Sequence, residues 1–201
     1  MNPGDKSAYW IPTAKWTDSG GTRTLEADRG LFYYRASGKA DDAVELYPDG
    51  LKVVTVQGSN VTWKCEGGAD SSSPPSRCSS GKLVLRVVFP DCSAGNIDSA
   101  DHRSHMMAYA VMQDDGTKQC PSTHPKPVLA LAMNVRFPIP TTSGTVRLSS
   151  DHQGDPPEST MHADFFNAWE KGALTGLIDR SIKAAPFTAS NPKPSECKLI
   201  K

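Results

Sequence analysis

The sequence predicts a mainly β protein, a β-sandwich or jelly-roll-like single domain with long loops and one C-terminal helix. Three observations predict this fold. Short runs of β-branched and aromatic residues recur along the chain, turns rich in Gly and Pro separate them, and only one stretch spaces its apolar residues as a helix does. The 201 residues include 16 Gly and 16 Pro. We assign residues 1–185 to the β-rich domain and residues 186–201 to a polar C-terminal tail.

Several runs are expected to form strands. Residues 9–12 read as an edge strand, because proline ends the run. Residues 82–89, KLVLRVVF, give the strongest signal, and residues 128–137 are apolar enough for a buried strand. The region 66–81 is too polar for a core and is expected to be an exposed loop. The remaining expected strands are residues 30–35, 51–56, 61–65 and 145–148.

The expected helix runs from residue 164 to residue 182. Its apolar residues fall on one helical face, and Asp164 is placed as the N-cap, where a carboxylate can accept the unpaired amides of the first turn. Gly172 and Gly176 weaken this helix by about 1 kcal/mol each relative to alanine. The apolar positions are Phe165, Phe166, Trp169, Ala173, Leu177, Ile178 and Ile182.

The five cysteines cannot all pair within one chain. Cys65 and Cys78 flank the polar loop, and Cys92 and Cys120 bracket a second long loop, so we expect these two disulfides. Cys197 is then left over, either free or paired with a cysteine outside this sequence. The alternative is a set of reduced thiols in a cytosolic protein.

The second long loop, residues 89–125, joins two expected core strands and carries most of the reactive side chains. Long loops of this kind are usually functional. All five histidines lie between residues 102 and 162, and the spacing of His102 and His105 lets both rings reach one centre. Such nitrogen and oxygen ligands suit Zn, Cu, Mn or non-haem Fe. The candidate metal ligands are His102, His105, His124 and His162.

The same region offers acid–base chemistry on a glycan. A carboxylate beside a histidine can transfer protons to and from a glycosidic oxygen. The candidate catalytic residues are Asp101, His102, His105 and Asp164, and Asp98 is a further carboxylate of the group. Trp10 and Tyr109 are the candidate sugar-stacking residues. The alternative is that these aromatic side chains belong to the core and that the histidines only brace the loop.

Charge and composition exclude some partners. Lys plus Arg and Asp plus Glu both number 22, so a nucleic-acid partner has no electrostatic support. No apolar run is long enough to span a membrane. The chain begins without a recognisable signal peptide, yet its cysteines and its Gly, Pro and Ser content are typical of secreted proteins. We therefore expect an extracellular protein with an upstream segment missing from this sequence.

Six multi-residue motifs occur along the chain. They are KSAYWIP at 6–12, YPDGL at 47–51, FPDC at 89–92, DSADHRSH at 98–105, CPSTHP at 120–125 and MHADFFNAW at 161–169. In this order they resemble a secreted microbial family known as a domain of unknown function, DUF1996. The resemblance covers residues 5–182 and implies an extracellular location. Some members of that family carry carbohydrate-binding modules, which implies a role at cell walls or polysaccharides. The family usually opens with a further His-x-His segment and a cysteine, which this chain lacks.

These observations lead to two hypotheses. In the first, a secreted domain uses a polar site lined by His and Asp to act on or bind cell-wall polysaccharide, with a divalent metal as an open option. In the second, the protein is a non-catalytic wall-binding or structural module.

Overall fold

A computed structural model describes residues 3–35, 44–56, 58, 60–152, 154–156 and 159–179. Within them the structure is mainly β, as predicted, with one α-helix, α1 (Lys171–Ile178). No helix in these ranges is long and apolar enough to cross a membrane. The strands are β1 (Ala8–Trp10), β2 (Ala14–Asp18), β3 (Gly21–Thr24), β4 (Arg29–Arg35), β5 (Lys52–Val56), β6 (Val61–Cys65), β7 (Lys82–Val88), β8 (Cys92–Ser93), β9 (Val111–Met112), β10 (Lys118–Gln119), β11 (Lys126–Pro127), β12 (Ala130–Pro138), β13 (Thr145–Leu148) and β14 (His162–Phe166).

The largest sheet is antiparallel, with the strand order β4-β12-β7-β6. Its strands alternate apolar and polar residues, so that one face enters the core and the other faces outward. On β12, Met133 and Val135 are buried, whereas Asn134 and Arg136 point to the opposite side and are only partly covered. This sheet forms one layer of the sandwich.

A three-stranded antiparallel sheet, of order β1-β14-β5, supplies the facing layer. Phe165 of β14 is fully buried. Its ring centroid lies 5.3 Å from that of Tyr9, 5.2 Å from that of Tyr47 and 6.2 Å from that of Phe89. Because Phe89 directly follows β7 of the large sheet, these rings join the two layers.

A chain of hydrogen bonds closes one end of this aromatic layer. The Trp169 indole N–H donates to the Tyr34 hydroxyl at 3.0 Å, and the Tyr34 hydroxyl contacts that of Tyr9. The Tyr9 hydroxyl in turn donates to the Asp5 carboxylate at 2.7 Å. Burial raises the pKa of Tyr9 above its usual range, so the phenol stays protonated and keeps donating.

The third sheet has the order β13-β2-β3 and adds Trp16, Val146 and Leu148 to the same core. The Trp16 ring lies so close to Gly144 that a Cβ at this position would sit 2.3 Å from it. Only glycine fits there, since any side chain would displace the indole. The Gly144 N–H also donates to the Ser76 carbonyl at 2.8 Å and so ties the exposed loop 66–81 to this sheet.

Both expected disulfides are present, Cys65–Cys78 and Cys92–Cys120. Cys197 lies outside the described residues. The loop 89–125 contains regular structure that we did not predict. It includes the hairpin β9–β10, a short 3-10 helix (Ser104–Met106) and the pairing of β8 with β11.

The prediction of a helix starting at Asp164 is wrong. Residues 162–166 form strand β14, and α1 begins only at Lys171. Met161, Ala163, Phe165, Asn167 and Trp169 are all buried, which is the two-residue period of a strand rather than the period of a helix. Asp164 therefore caps no helix. The expected helix end at Ile182 and the tail 186–201 lie outside the described residues.

Two adjacent phenylalanines test this arrangement. Phe165→Ala should lower the free energy of unfolding by about 3–5 kcal/mol, because it leaves a cavity between the sheets. Phe166→Ala should lower it by less than about 1 kcal/mol, because this side chain points outward. Urea unfolding without reductant measures both changes. Similar losses in the two variants would contradict the register of β14.

Candidate functional site

The outer face of the three-stranded sheet carries aromatic and ionisable side chains. Its outward residues, which we call the Trp10 face, are Trp10, Lys52, Val54, Val56, His162, Asp164 and Phe166. Trp10 is 48% exposed and Phe166 is 41% exposed. A contiguous patch of large apolar side chains open to solvent is typical of binding surfaces.

The register places Asp164 at the centre of the Trp10 face. It lies opposite Trp10 on one side and opposite Val54 on the other. Partial burial between these neighbours raises the pKa of the Asp164 carboxyl, and the nearby His162 opposes that shift. The His162 ring centroid lies 5.2 Å from that of Trp10. One aromatic ring, one carboxyl and one imidazole thus share a small patch.

An ion-paired chain extends the Trp10 face towards the histidine loop, residues 97–105. Lys52 Nζ lies 2.6 Å from Asp98 Oδ2, and His102 Nδ1 lies 2.7 Å from Asp98 Oδ1. The hydrogen bonds from Lys52 and His102 hold the pKa of Asp98 well below its usual range. Asp98 therefore stays ionised between two nitrogen donors. His102 itself is exposed and has a left-handed backbone, with φ of 53°, which is uncommon outside glycine.

Asp101 organises the turn that precedes the 3-10 helix. Its Oδ1 accepts from the Ser104 N–H at 2.9 Å, the Ser99 hydroxyl at 2.7 Å and the Arg103 N–H at 3.1 Å. These donors, the Ser104 N–H foremost, hold the pKa of Asp101 well below its usual range. An ionised carboxylate committed to backbone donors shapes a loop, so this position does not suit a general acid.

His105 fastens the histidine loop to the edge of the sheet. It is only 2% exposed. Its Nε2 donates to the Lys52 carbonyl at 2.6 Å, and its Nδ1 lies 2.9 Å from the Ser99 hydroxyl. The Lys52 N–H donates to the Ile97 carbonyl at 3.1 Å. Since β5 is the last strand of its sheet, these bonds satisfy backbone groups that an open edge would leave unpaired.

His124 and Tyr109 also bond within the protein. His124 Nε2 donates to the Ser104 carbonyl at 2.7 Å, which places this histidine beside the 3-10 helix. The Tyr109 hydroxyl donates to the Val88 carbonyl at 3.2 Å and lies 3.1 Å from the Thr55 hydroxyl. Both partners belong to strands, so Tyr109 points inward and contributes no ring to the Trp10 face.

The structure brings the candidate residues together in two groups. Asp101, His102, His105 and His124 cluster in and beside the histidine loop. His162 pairs with Val56 of β5. Val56 lies four residues along the strand from Lys52, and these two positions are about 13 Å apart. It does not join the other three histidines.

The described residues contain no group of three or more His, Cys, Asp or Glu side chains that could hold a metal ion. Both ring nitrogens of His105 and of His124 take part in hydrogen bonds, and His102 uses its Nδ1.

Sequence reasoning missed Phe166 and Lys52 as members of the site. The available signal was the alternation of His162, Asp164 and Phe166 along one strand, which the helix assignment concealed. Lys52, Val54 and Val56 alternate in the same way. Once β5 and β14 pair, these residues form a single surface.

The chain belongs to the DUF1996 family, described as a domain of unknown function, whose model matches residues 1–169. Neither the curated proteins nor the solved structures include a significant match to this chain.

The ion pair of Asp98 predicts a specific pH dependence. The pKa of Asp98 is lowered in the folded state, so its contribution to stability is present above the unfolded pKa, about 4, and is lost as the pH falls towards the folded pKa. Asp98→Asn should lower the Tm at pH 7, and its difference from wild type should shrink below about pH 4. Asp114→Asn, an exposed change in the β9–β10 turn, is the control and should change Tm little. A constant difference for Asp98→Asn down to about pH 2 would contradict the ion pair.

Proposed function

We propose that this protein is an extracellular module that binds cell-wall polysaccharide through the Trp10 face. The observation that carries the proposal is the exposed Trp10 ring beside Asp164 and His162 on the outer face of the sheet. Sugar rings offer apolar C–H faces, which stack on aromatic rings, and hydroxyls, which bond to carboxylates and imidazoles. The Trp10 face presents both kinds of partner on neighbouring residues.

The arrangement of the other candidates supports binding over metal chemistry. Asp101, His105 and His124 all bond to neighbouring loop or backbone groups, and so they act as braces for the histidine loop. The loop in turn holds Asp98 and His102 at the border of the Trp10 face. Lys52 binds Asp98 and Asp98 binds His102, so this chain of ion pairs extends the polar part of the surface.

An extracellular location is supported by the two disulfides, which persist in oxidising compartments. Each closes a loop with little core of its own. On the chain-entropy model, a disulfide that closes a loop of this size stabilises the folded state by about 3–4 kcal/mol. A protein that depends on such bonds is suited to the cell exterior.

Glycoside hydrolysis is the second candidate function. The observation that favours it is the opposite shift of two carboxyl pKa values, raised at Asp164 and lowered at Asp98. A carboxyl whose pKa is raised, beside one whose pKa is lowered, is the kind of pair that hydrolysis uses. Asp98 contacts Lys52, which lies two residues along β5 from Val54, the partner of Asp164. The backbone positions of Lys52 and Val54 are about 7 Å apart.

Binding to neutral wall glucans and chitin tests the proposal. Trp10→Ala should weaken binding at least about tenfold, because truncating a central aromatic residue removes a large share of the contact energy. Phe166→Ala should also weaken it. Met112→Ala removes another exposed apolar side chain, which lies on β9 and is not part of the Trp10 face, and should leave affinity unchanged. Depletion assays on insoluble polysaccharide measure all three.

The same preparations separate the two candidates. Release of reducing sugar by wild type, lost in Asp164→Asn while binding persists, would assign hydrolysis to this site. Binding without release would leave the protein a wall-binding module. If wild type binds none of these glycans, or if Met112→Ala loses as much affinity as Trp10→Ala, the proposal fails.

A further inference from the structure

The outer face of the four-stranded sheet gathers cations that are far apart in the sequence. We call this surface the basic face. Arg29 and Arg136 lie opposite each other on β4 and β12, and Arg86 of β7 lies opposite Asn134 of β12. The cations on this face are Arg29, Arg35, Lys64, Lys82, Arg86 and Arg136.

Carboxylates neutralise only some of these cations. Arg136 binds Asp28 and Glu66, each at 2.8 Å, and Lys64 binds Asp70 at 3.0 Å. Arg29, Lys82 and Arg86 have no salt bridge among the described residues. The whole chain has a formal net charge of zero, so this excess reflects where the charges lie. A local excess attracts an anionic ligand even when the protein as a whole is neutral.

Arg86 is the centre of the basic face and has no carboxylate partner in the described part of the chain. It is half-buried, with Thr62 on one side and Asn134 on the other. Thr62 Oγ1 and Asn134 Oδ1 are both buried and make no hydrogen bond in the described ranges. Buried polar groups normally have partners. Arg86 is therefore a half-buried cation beside two polar atoms that lack partners, and its own charge is left for a ligand.

A shallow cavity of about 160 Å³ lies next to this group. Its charged lining consists of Arg29, Lys64, Arg136 and Glu66, and Glu66 is bound to Arg136. Leu31 and Val84 supply an apolar floor. Charged groups around an apolar floor suit a ligand that has anionic edges and an apolar ring face. Arg29 and Arg86 lie two strands apart, roughly 10 Å, so an extended polymer can meet both.

We infer that the basic face binds an acidic polysaccharide whose sugar rings carry carboxylates. A uronate ring supplies the carboxylate for Arg86 and a C–H face for the apolar floor. Nucleic acid suits the surface less well, since its affinity depends on many phosphate contacts and on stacked bases. This surface lies on the opposite side of the sandwich from the Trp10 face, so the inference stands independently of the proposed function.

The test measures binding of an oligogalacturonate by calorimetry at low salt, about one fifth of physiological ionic strength. The matched ligand is the same oligosaccharide with its carboxyls methyl-esterified. Wild type should bind the acid form at least about tenfold more tightly than the ester. Arg86→Gln should weaken binding of the acid about fivefold, and the double variant Arg29→Gln/Arg86→Gln should weaken it about twentyfold. Arg147→Gln on β13 makes the same charge change elsewhere and should stay within about twofold of wild type.

The comparison of acid and ester uses wild type alone, so it does not depend on how the variants fold. Circular dichroism and Tm check the variants. Equal affinity for acid and ester, no binding of either, or an equal loss in Arg147→Gln would overturn the inference. Equally tight binding of a DNA duplex would also overturn it in favour of a general polyanion surface. Trp10→Ala should keep full affinity for the acid form, which separates this surface from the Trp10 face.

Discussion

The packing of Phe165 against the opposing sheet determines what the rest of β14 can do. Its ring meets Tyr9, Tyr47 and Phe89, which come from three separate parts of the chain. Because side chains alternate along a strand, burying Phe165 turns Asp164 and Phe166 outward. A slip of one residue would bury the Asp164 carboxyl and expose Phe165, and both changes are costly. The Trp10 face is therefore a consequence of the core.

The edge of the same sheet explains the chemistry of the histidine loop. Strand β5 ends the sheet, and its Lys52 backbone groups bond to the Ile97 carbonyl and the His105 ring. A buried imidazole between a carbonyl and a hydroxyl costs little, since both its nitrogens are satisfied. The Cys92–Cys120 bond closes the base of this region. Histidines close in sequence can thus serve as structural bonds, and their proximity alone does not make a metal site.

Local patterns predicted the strands with a strong apolar or aromatic run and missed others, including β2, β3 and β14. Strand pairing decides what those patterns do not. Residues 61–65 and 145–148 carry their own β signal, and they form strands with those bounds. Cys92 and Cys120 bracket a loop visibly enough to predict their bond. Residues 164–169 were ambiguous, because Phe165 and Trp169 are four apart and match a helix, while Phe165, Asn167 and Trp169 match a strand. The contact with Tyr9, more than 150 residues away in the sequence, decides that choice, and no local pattern contains it.

Composition does not predict the two surfaces either, because they also depend on strand pairing. A formal net charge of zero suggested no electrostatic role, yet strand pairing brings Arg29, Arg86 and Arg136 onto one side. Trp10 and Asp164 are brought to the other side by equally distant pairing. Packed sheets lie about 10 Å apart, and two layers of side chains fill that space, so the outer faces are separated by more than the Debye length at physiological salt, about 8 Å. A charge change on the basic face is therefore screened from the Trp10 face, and substitutions on the two should act additively. The two proposed binding surfaces are compatible with each other, because the shared core fixes both faces and leaves each one's chemistry independent.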